Sequence, residues 1–368
     1  MWICSPFSGL VVLLLLAPTH ATAGDGLISG KLDIGVSSLY DDNILRYSDK
    51  YLGRFDNRED AGRFHINTAD DLIMVSSIRA SATMNLIGAL NTTGSIDYRR
   101  RTYTHNAIKD WSYLSMSVRQ DLSKAFAAQV GYNYIPEFYV RHYRDDDWVN
   151  LYGYTPITFQ SFAFKKDEIN GWLQYNVFSS TRVRAVVGYM RYFHDEHFTE
   201  YNCKNRAFGF EVYQTLLKNI RLNGSFDVMY SRAEGDFDTD PSNDQNTFVL
   251  GVDFRLPKVF GHANTIGVEG EHSRTFYTTH NFVEVDPEHA GRKDYEYRVS
   301  ISYEFGLFDN LTLALNYAWQ ERSSRSSSDL NAMYLADEKD YRLHQIGLEA
   351  KYSLSFFPSD GSENERSK

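Results

Sequence analysis

From residue 298 the chain reads "RVSISYEFGLFDNLTLALNYAWQERSS", two runs in which apolar and polar side chains alternate, joined at "FDN". Val299, Ile301, Tyr303 and Phe305 share one face of the first run. Leu311, Leu313, Leu315, Tyr317 and Trp319 share one face of the second. The opposite faces carry Arg298, Ser300, Ser302 and Glu304, then Thr312, Asn316, Gln320 and Arg322. A period of two is a strand signal. It does not say which face is wet. A half-buried sheet turns its apolar face to a core, and a barrel in a bilayer turns the same face to lipid.

The same alternation recurs along the chain, and no window beyond the N-terminus sustains a helical period. Fourteen candidate strands can be marked, from 27–40 and 71–86 at one end, through a sixth at 165–178, to 311–323 and 340–357 at the other. Most run roughly 11 to 16 residues, longer than globular strands and long enough to cross a bilayer at a tilt. Only eight prolines occur, so few segments are barred from a sheet. The connections alternate in kind. After even-numbered strands come short joints such as "SKA", "SST" and "FDN". After odd-numbered strands come longer polar ones such as "RAEGDFDTDPSNDQN" and "SSRSSSDLNAMYLADE", the third and seventh of these strands having the shorter ones. Tight turns at one end and long loops at the other are the habit of an up-and-down barrel in an outer membrane. An even count leaves both termini on the short-turn side.

The N-terminus agrees. Residues 1–23 carry no Lys, Arg, Asp or Glu, and "LVVLLLLA" (Leu10 to Ala17) precedes "PTHATAG", where Ala21 and Ala23 suit cleavage before Gly24. This predicts a signal peptide over 1–23, too short to span a bilayer. Cys4 leaves with it, so Cys203 has no internal disulfide partner. No later apolar run reaches 18 residues. A membrane location therefore requires a closed barrel.

The final strand, "QIGLEAKYSLSFF", aligns Ile346, Leu348, Ala350, Tyr352, Leu354 and Phe356 on one face. It resembles the C-terminal strand that Gram-negative outer-membrane β-barrels present to their assembly machinery, departing at Ala350 and in the polar tail "PSDGSENERSK". The resemblance is to the porin-like and export-associated class of barrels and carries no motif of a single family. It implies a location in the outer membrane of a Gram-negative bacterium, with the assembly machinery, outer-membrane lipid and lipopolysaccharide as partners. The expected organisation is a signal peptide at 1–23, an all-β transmembrane antiparallel barrel of about 14 strands at 24–357, and a polar tail at 358–368. The first strand begins so close to the cleavage site that no N-terminal hatch, as in fatty-acid barrels, is expected.

Composition adds the aromatic content, with 26 Tyr and 24 Phe gathered towards strand ends as in interfacial girdles. Net charge is −10, and no nucleic-acid partner or cofactor is expected. Alternation assigns a charged inward face that includes Arg99, Arg101, Arg119, Arg182, Arg184, Glu211, Arg221, Asp253, Arg255, Glu296, Arg298 and Glu304. Such a face either lines a wet pore that selects solutes by charge or braces the wall by salt bridges. In "RRR" (Arg99 to Arg101), alternation turns Arg100 outward.

Three patches suggest other chemistry. Asp236, Asp238 and Asp240 stand at the alternate spacing of a calcium loop, without its glycine or terminal glutamate; an acidic solvated loop is the competing reading. "HDEH" (His194 to His197) offers metal-type ligands at a strand end, with a surface loop as the favoured reading. No serine sits in a G-x-S-x-G elbow, so an outer-membrane hydrolase is the weaker alternative. The expected function is a channel or exporter for small polar solutes or polysaccharide, with a structural barrel that docks an envelope partner as the alternative.

Overall fold

The computed structural model describes residues 27–356 except positions 61 and 260. The expected signal peptide and tail therefore lie outside the described residues. Fourteen strands follow one another: β1 (Leu27–Asp41), β2 (Asp71–Ile87), β3 (Leu90–Tyr103), β4 (Trp111–Asp121), β5 (Phe126–Arg144), β6 (Phe159–Phe178), β7 (Thr181–His194), β8 (Cys203–Leu217), β9 (Ile220–Ala233), β10 (Asn243–Val259), β11 (His262–Tyr277), β12 (Lys293–Phe308), β13 (Leu311–Arg325) and β14 (Tyr341–Phe356). Each pairs antiparallel with the next. β14 then returns to β1, from Gly30 opposite Phe356 to Asp41 opposite Gln345, and the sheet closes with no free edge. Closure lets every wall strand satisfy its backbone groups on its neighbours, the condition for crossing a bilayer with strands.

Side-chain parity settles the orientation of the faces. Val130, Phe210 and Leu250, mid-strand apolar residues, are 64%, 66% and 64% exposed. In a soluble sandwich such positions would be the core. Here they form a continuous outer belt with Ile34, Val299, Ile301, Leu315 and Leu348. A closed sheet inside an apolar belt is an outer-membrane β-barrel, and that is where the protein resides. The aromatics are less confined than the girdle expectation has it. Phe126 and Tyr175 stack at the short-turn end, but Phe210, Phe226 and Phe248 run side by side across β8, β9 and β10.

All fourteen expected strands are present, with their ends displaced. The largest displacement is at β6, expected from 165 and observed from Phe159. Its "FQSFAF" start does not alternate, and its partner β5 slips register between Ile135 and Phe138 and again between Tyr139 and Arg141. Pro136 lies within the first slip, and Pro257 within the slip between Leu256 and Val259. Proline has no N–H for the ladder, so a bulge is where a wall strand tolerates it.

The alternation predicts no helix, yet the outer loops hold three: α1 (Asp49–Asp56), α2 (Asp146–Tyr152) and α3 (Asp329–Lys339). Two or three turns are too short for a 3.6-residue period to emerge. The local signals were N-caps: Ser48 accepts from the Tyr51 N–H, and Asp145 from the Trp148 N–H. Among the described residues, no helix is long and apolar enough to cross a membrane.

Candidate functional site: a charged lumen under an outer cap

The pairing register carries the parity of the outer belt around the wall and puts all twelve charged positions named from the sequence on the inner face. Several are neutralised by a carboxylate on the same face. Arg99 binds Asp97 at 3.0 Å, Arg119 binds Asp121 at 2.9 Å, and Arg184 binds Glu211 at 3.2 Å. Glu296 accepts from the Gln320 amide at 2.6 Å and the Tyr341 hydroxyl at 2.9 Å. Aromatic rings hold other guanidiniums flat: Arg101 lies 5.2 Å from the Trp111 ring centre, and Arg182 lies 4.3 Å from that of Tyr213. The two signs are unevenly spread. Arg119, Arg182, Arg184, Arg221 and Arg255 stand on β4, β7, β9 and β10, whereas β11 and β12 bring Glu269, Glu271, Glu296 and Glu304 with Arg298. Arg100 points outward and pairs with Asp110 at 3.1 Å, at the outer end of its strand.

At the outer end the loops pack across the mouth. In the first outer loop, residues 42–70, Tyr47 and Tyr51 are buried with Ile44 and Leu45 against Ile73, Tyr103 and Tyr139 of the wall. Arg141 of β5 holds that loop, donating to the Leu45 and Arg46 carbonyls with its guanidinium 4.5 Å from the Tyr47 ring centre. α1 meets α3 through Ser48, which donates to the Asp337 carbonyl, and through Lys50 and Asp337 at 3.0 Å. At the end of α3, Lys339 binds Glu288 of the sixth outer loop at 2.8 Å. Its ammonium also sits 5.2 Å from the ring centre of Tyr143, on β5. β5 is five strand steps from β14 around the ring, so this contact reaches over the lumen. The sixth loop is joined in turn to the fifth by the Asp240 N–H donating to Asp286 at 2.9 Å.

Electrostatics show how tightly this cap is bound. Burial raises the Glu288 carboxyl, but Lys339, His289 and Arg292 outweigh it and draw it down to about 2. Lys339 is raised correspondingly, with Glu288 and Tyr143 overcoming its burial. Lys109, on the turn between β3 and β4, has the opposite fate. Burial together with Arg141 and Arg46 lowers it to about 7, while its ammonium donates to the Tyr139 and Val140 carbonyls at 2.9 and 3.1 Å. The alternation pattern missed Lys109, Glu288 and Lys339 because they lie in loops and meet partners 30 to 51 residues away.

The acidic and histidine patches make local contacts. Asp236 accepts from the N–H groups of Asp238 and Thr239, and Asp240 accepts from that of Ser242, so their oxygens shape a turn. The His194 ring packs on Phe162, Phe164 and Tyr201. His197 bonds Asp145 at 2.7 Å, and the other Asp145 oxygen caps α2, tying the third and fourth outer loops together. Among the described residues no group of three or more His, Cys, Asp or Glu is placed to hold a metal ion.

Two cavities flank this arrangement. One of about 710 Å³ opens at the short-turn end, between β6 and β10 and their turns. The other, about 520 Å³, lies outside among the third, fourth and fifth outer loops, lined by Asp145, Trp148, Glu196, His197, Glu200, Glu234 and Asp236.

No family model matches the chain, and no curated protein matches it. Among solved structures it is similar to a bacterial polysaccharide outer membrane secretin, with 8% identity over 89% of this chain and 99% of that one and a TM-score of 0.45. It is similar to OmpT, an outer membrane protein of Vibrio cholerae, at 8% identity, covering 90% of this chain and 100% of that one with a TM-score of 0.47. An anion-selective porin from Comamonas acidovorans shows 9% identity, coverage of 88% and 98%, and a TM-score of 0.43. At these identities and scores the likeness adds nothing to the wall, cap and lumen described above.

Proposed function

We propose that the protein is an outer-membrane channel for polar or charged solutes, polysaccharide among them, closed at rest by its own outer loops. The observation that supports this reading best is the inner wall: charged and hydrogen-bonding side chains line it from the 710 Å³ cavity at the short-turn end up to the cap. Water and polar solutes are stabilised by such a wall. The first loop is seated on the wall through Tyr47 and Tyr51, whereas the loops are joined to one another by discrete polar contacts, Lys339 with Glu288 and Lys50 with Asp337, whose loss would loosen the cap. The chemistry needed is passage and no bond is broken, which makes this a non-enzymatic reading. Outward-facing Arg191, Lys204 and Arg232 stand side by side on β7, β8 and β9 near the outer end, which supports contact with lipopolysaccharide phosphates.

Uptake of polar solutes into liposomes carrying the purified protein tests this. The Glu288→Gln protein is expected to pass a small sugar several-fold faster than the native one. Equal, background uptake by both would reject the channel. A second reading, docking of a cationic envelope partner, is favoured by the carboxylates around the 520 Å³ outer cleft. It predicts capture of a basic ligand that is lost in a Glu196→Gln/Glu234→Gln protein, with no flux in either state.

A further inference from the structure

The cavity at the short-turn end gathers cations without a lining carboxylate. Elsewhere on the inner face several cations are neutralised, Lys31 with Asp33, Arg99 with Asp97, Arg119 with Asp121 and Lys166 with Glu168, while Arg79, Arg101, Arg298 and Lys351 form no ion pair among the described residues but are spread singly over different strands. Around this cavity stand Lys124, Arg182, Lys218, Arg221 and Arg255, and no Asp or Glu lines it. Among the described residues, none of these five forms an ion pair. Asp253 lies beside Arg221 in the strand register and two residues from Arg255, and it pairs with neither. Glu211, across the same wall, is committed to Arg184 and to the Tyr213 hydroxyl. Five unneutralised cations about one cavity repel one another, in a chain whose net charge is −10. Four of the five, Lys124, Lys218, Arg221 and Arg255, are exposed and so open to an anion from solution.

The geometry also says what kind of anion. Lys124 is on the turn before β5 and Arg255 on β10, five strand steps apart, so the cations spread along an arc of roughly 24 Å at about 4.8 Å per strand. One small anion reaches two or three of them. A chain carrying repeated charges reaches all. The guanidiniums of Arg182 and Arg184 stack on the Tyr213 ring, at 4.3 and 5.1 Å from its centre. The same stacking fixes Arg182 while its Nε–H has no hydrogen-bond partner. Arginine forks held this way suit carboxylate or phosphate oxygens.

We propose that this vestibule binds an oligoanion, a chain of repeated carboxylate or phosphate groups, presented from the periplasmic side. This names the solute class of the channel reading and rests on that reading for the direction of travel. Binding itself needs no passage.

The test is isothermal titration calorimetry on the folded protein in a non-ionic detergent, with oligogalacturonate, linear polyphosphate and, as the neutral control, maltohexaose. Binding of either polyanion, weakening with salt and absent for maltohexaose, is the expected result, and which one binds distinguishes carboxylate from phosphate. Arg221→Gln/Arg255→Gln is expected to lower the affinity about tenfold or more, and Arg221→Lys/Arg255→Lys to keep it within a few-fold. Circular dichroism reports whether each variant folds. If the Gln pair does not, Lys218→Gln on the exposed turn replaces it, with a several-fold loss expected. Overturning results are no binding of either polyanion, equal binding of maltohexaose, or unchanged affinity in a folded variant. Because no transport step is measured, such a failure is separate from a failure of conduction.

Discussion

Lys109 illustrates what a single side chain contributes to the cap. Its ammonium is buried against two carbonyls, and its ionisation lies near 7 where an exposed lysine titrates near 10.5. Between those values the unfolded chain holds a proton that the folded one has shed, so stability rises with pH across the window from about 7 to 10.5 and is flat below it. Replacing Lys109 by Met is expected to remove that slope, seen as the difference between variant and native thermal midpoints measured from pH 7 to 9.5. A slope unchanged in the variant would assign the effect to other groups. The inward face was legible from the sequence at this scale, since a period of two fixes which residues share a side. The fate of each charge was not. Arg184 and Arg221 read alike along the chain, and each stands opposite a carboxylate on a neighbouring strand, Glu211 and Asp253, yet only Arg184 pairs with its own, a side-chain outcome that alternation does not carry.

Strands and helices were unequally legible for a related reason. A wall strand of about 15 residues repeats its signal seven times, and β1 to β14 were all marked. α1, α2 and α3 show theirs for two or three turns, and what holds them is contact with other loops. The orientation of the faces is open to a direct check on β12. Ile301 lies mid-strand in the outer belt, and Ser300 beside it faces the lumen between Glu269 and Ala318. Ile301→Arg is expected to cost about 2–4 kcal/mol of folding stability in lipid, and Ser300→Arg well under that. Urea unfolding in vesicles measures both, and the reverse order would turn the barrel inside out. The bulges at Pro136 and Pro257 mark the limit of what alternation can show, since a slip of one residue exchanges the two faces.

For the molecule as a whole, the cap decides whether a charged lumen becomes a path. The Lys339–Glu288 pair is present through neutral pH. The depressed Glu288 carboxyl contributes stability that is full above about 4.5 and lost as pH falls towards 2, and the raised Lys339 contributes stability lost only above about 10.5. Acid below pH 4.5 is therefore expected to loosen the cap before the wall, which proteolysis of the outer loops on intact vesicles would register. Glu288→Gln does the same at pH 7, leaving a buried ammonium without its counter-charge at a cost of about 2 kcal/mol. Single-channel recording in planar bilayers then separates a gated channel from a sealed barrel. The native protein should show rare steps of conductance, and the Glu288→Gln protein frequent ones of the same size. A membrane that stays sealed at every voltage with both proteins would contradict the channel.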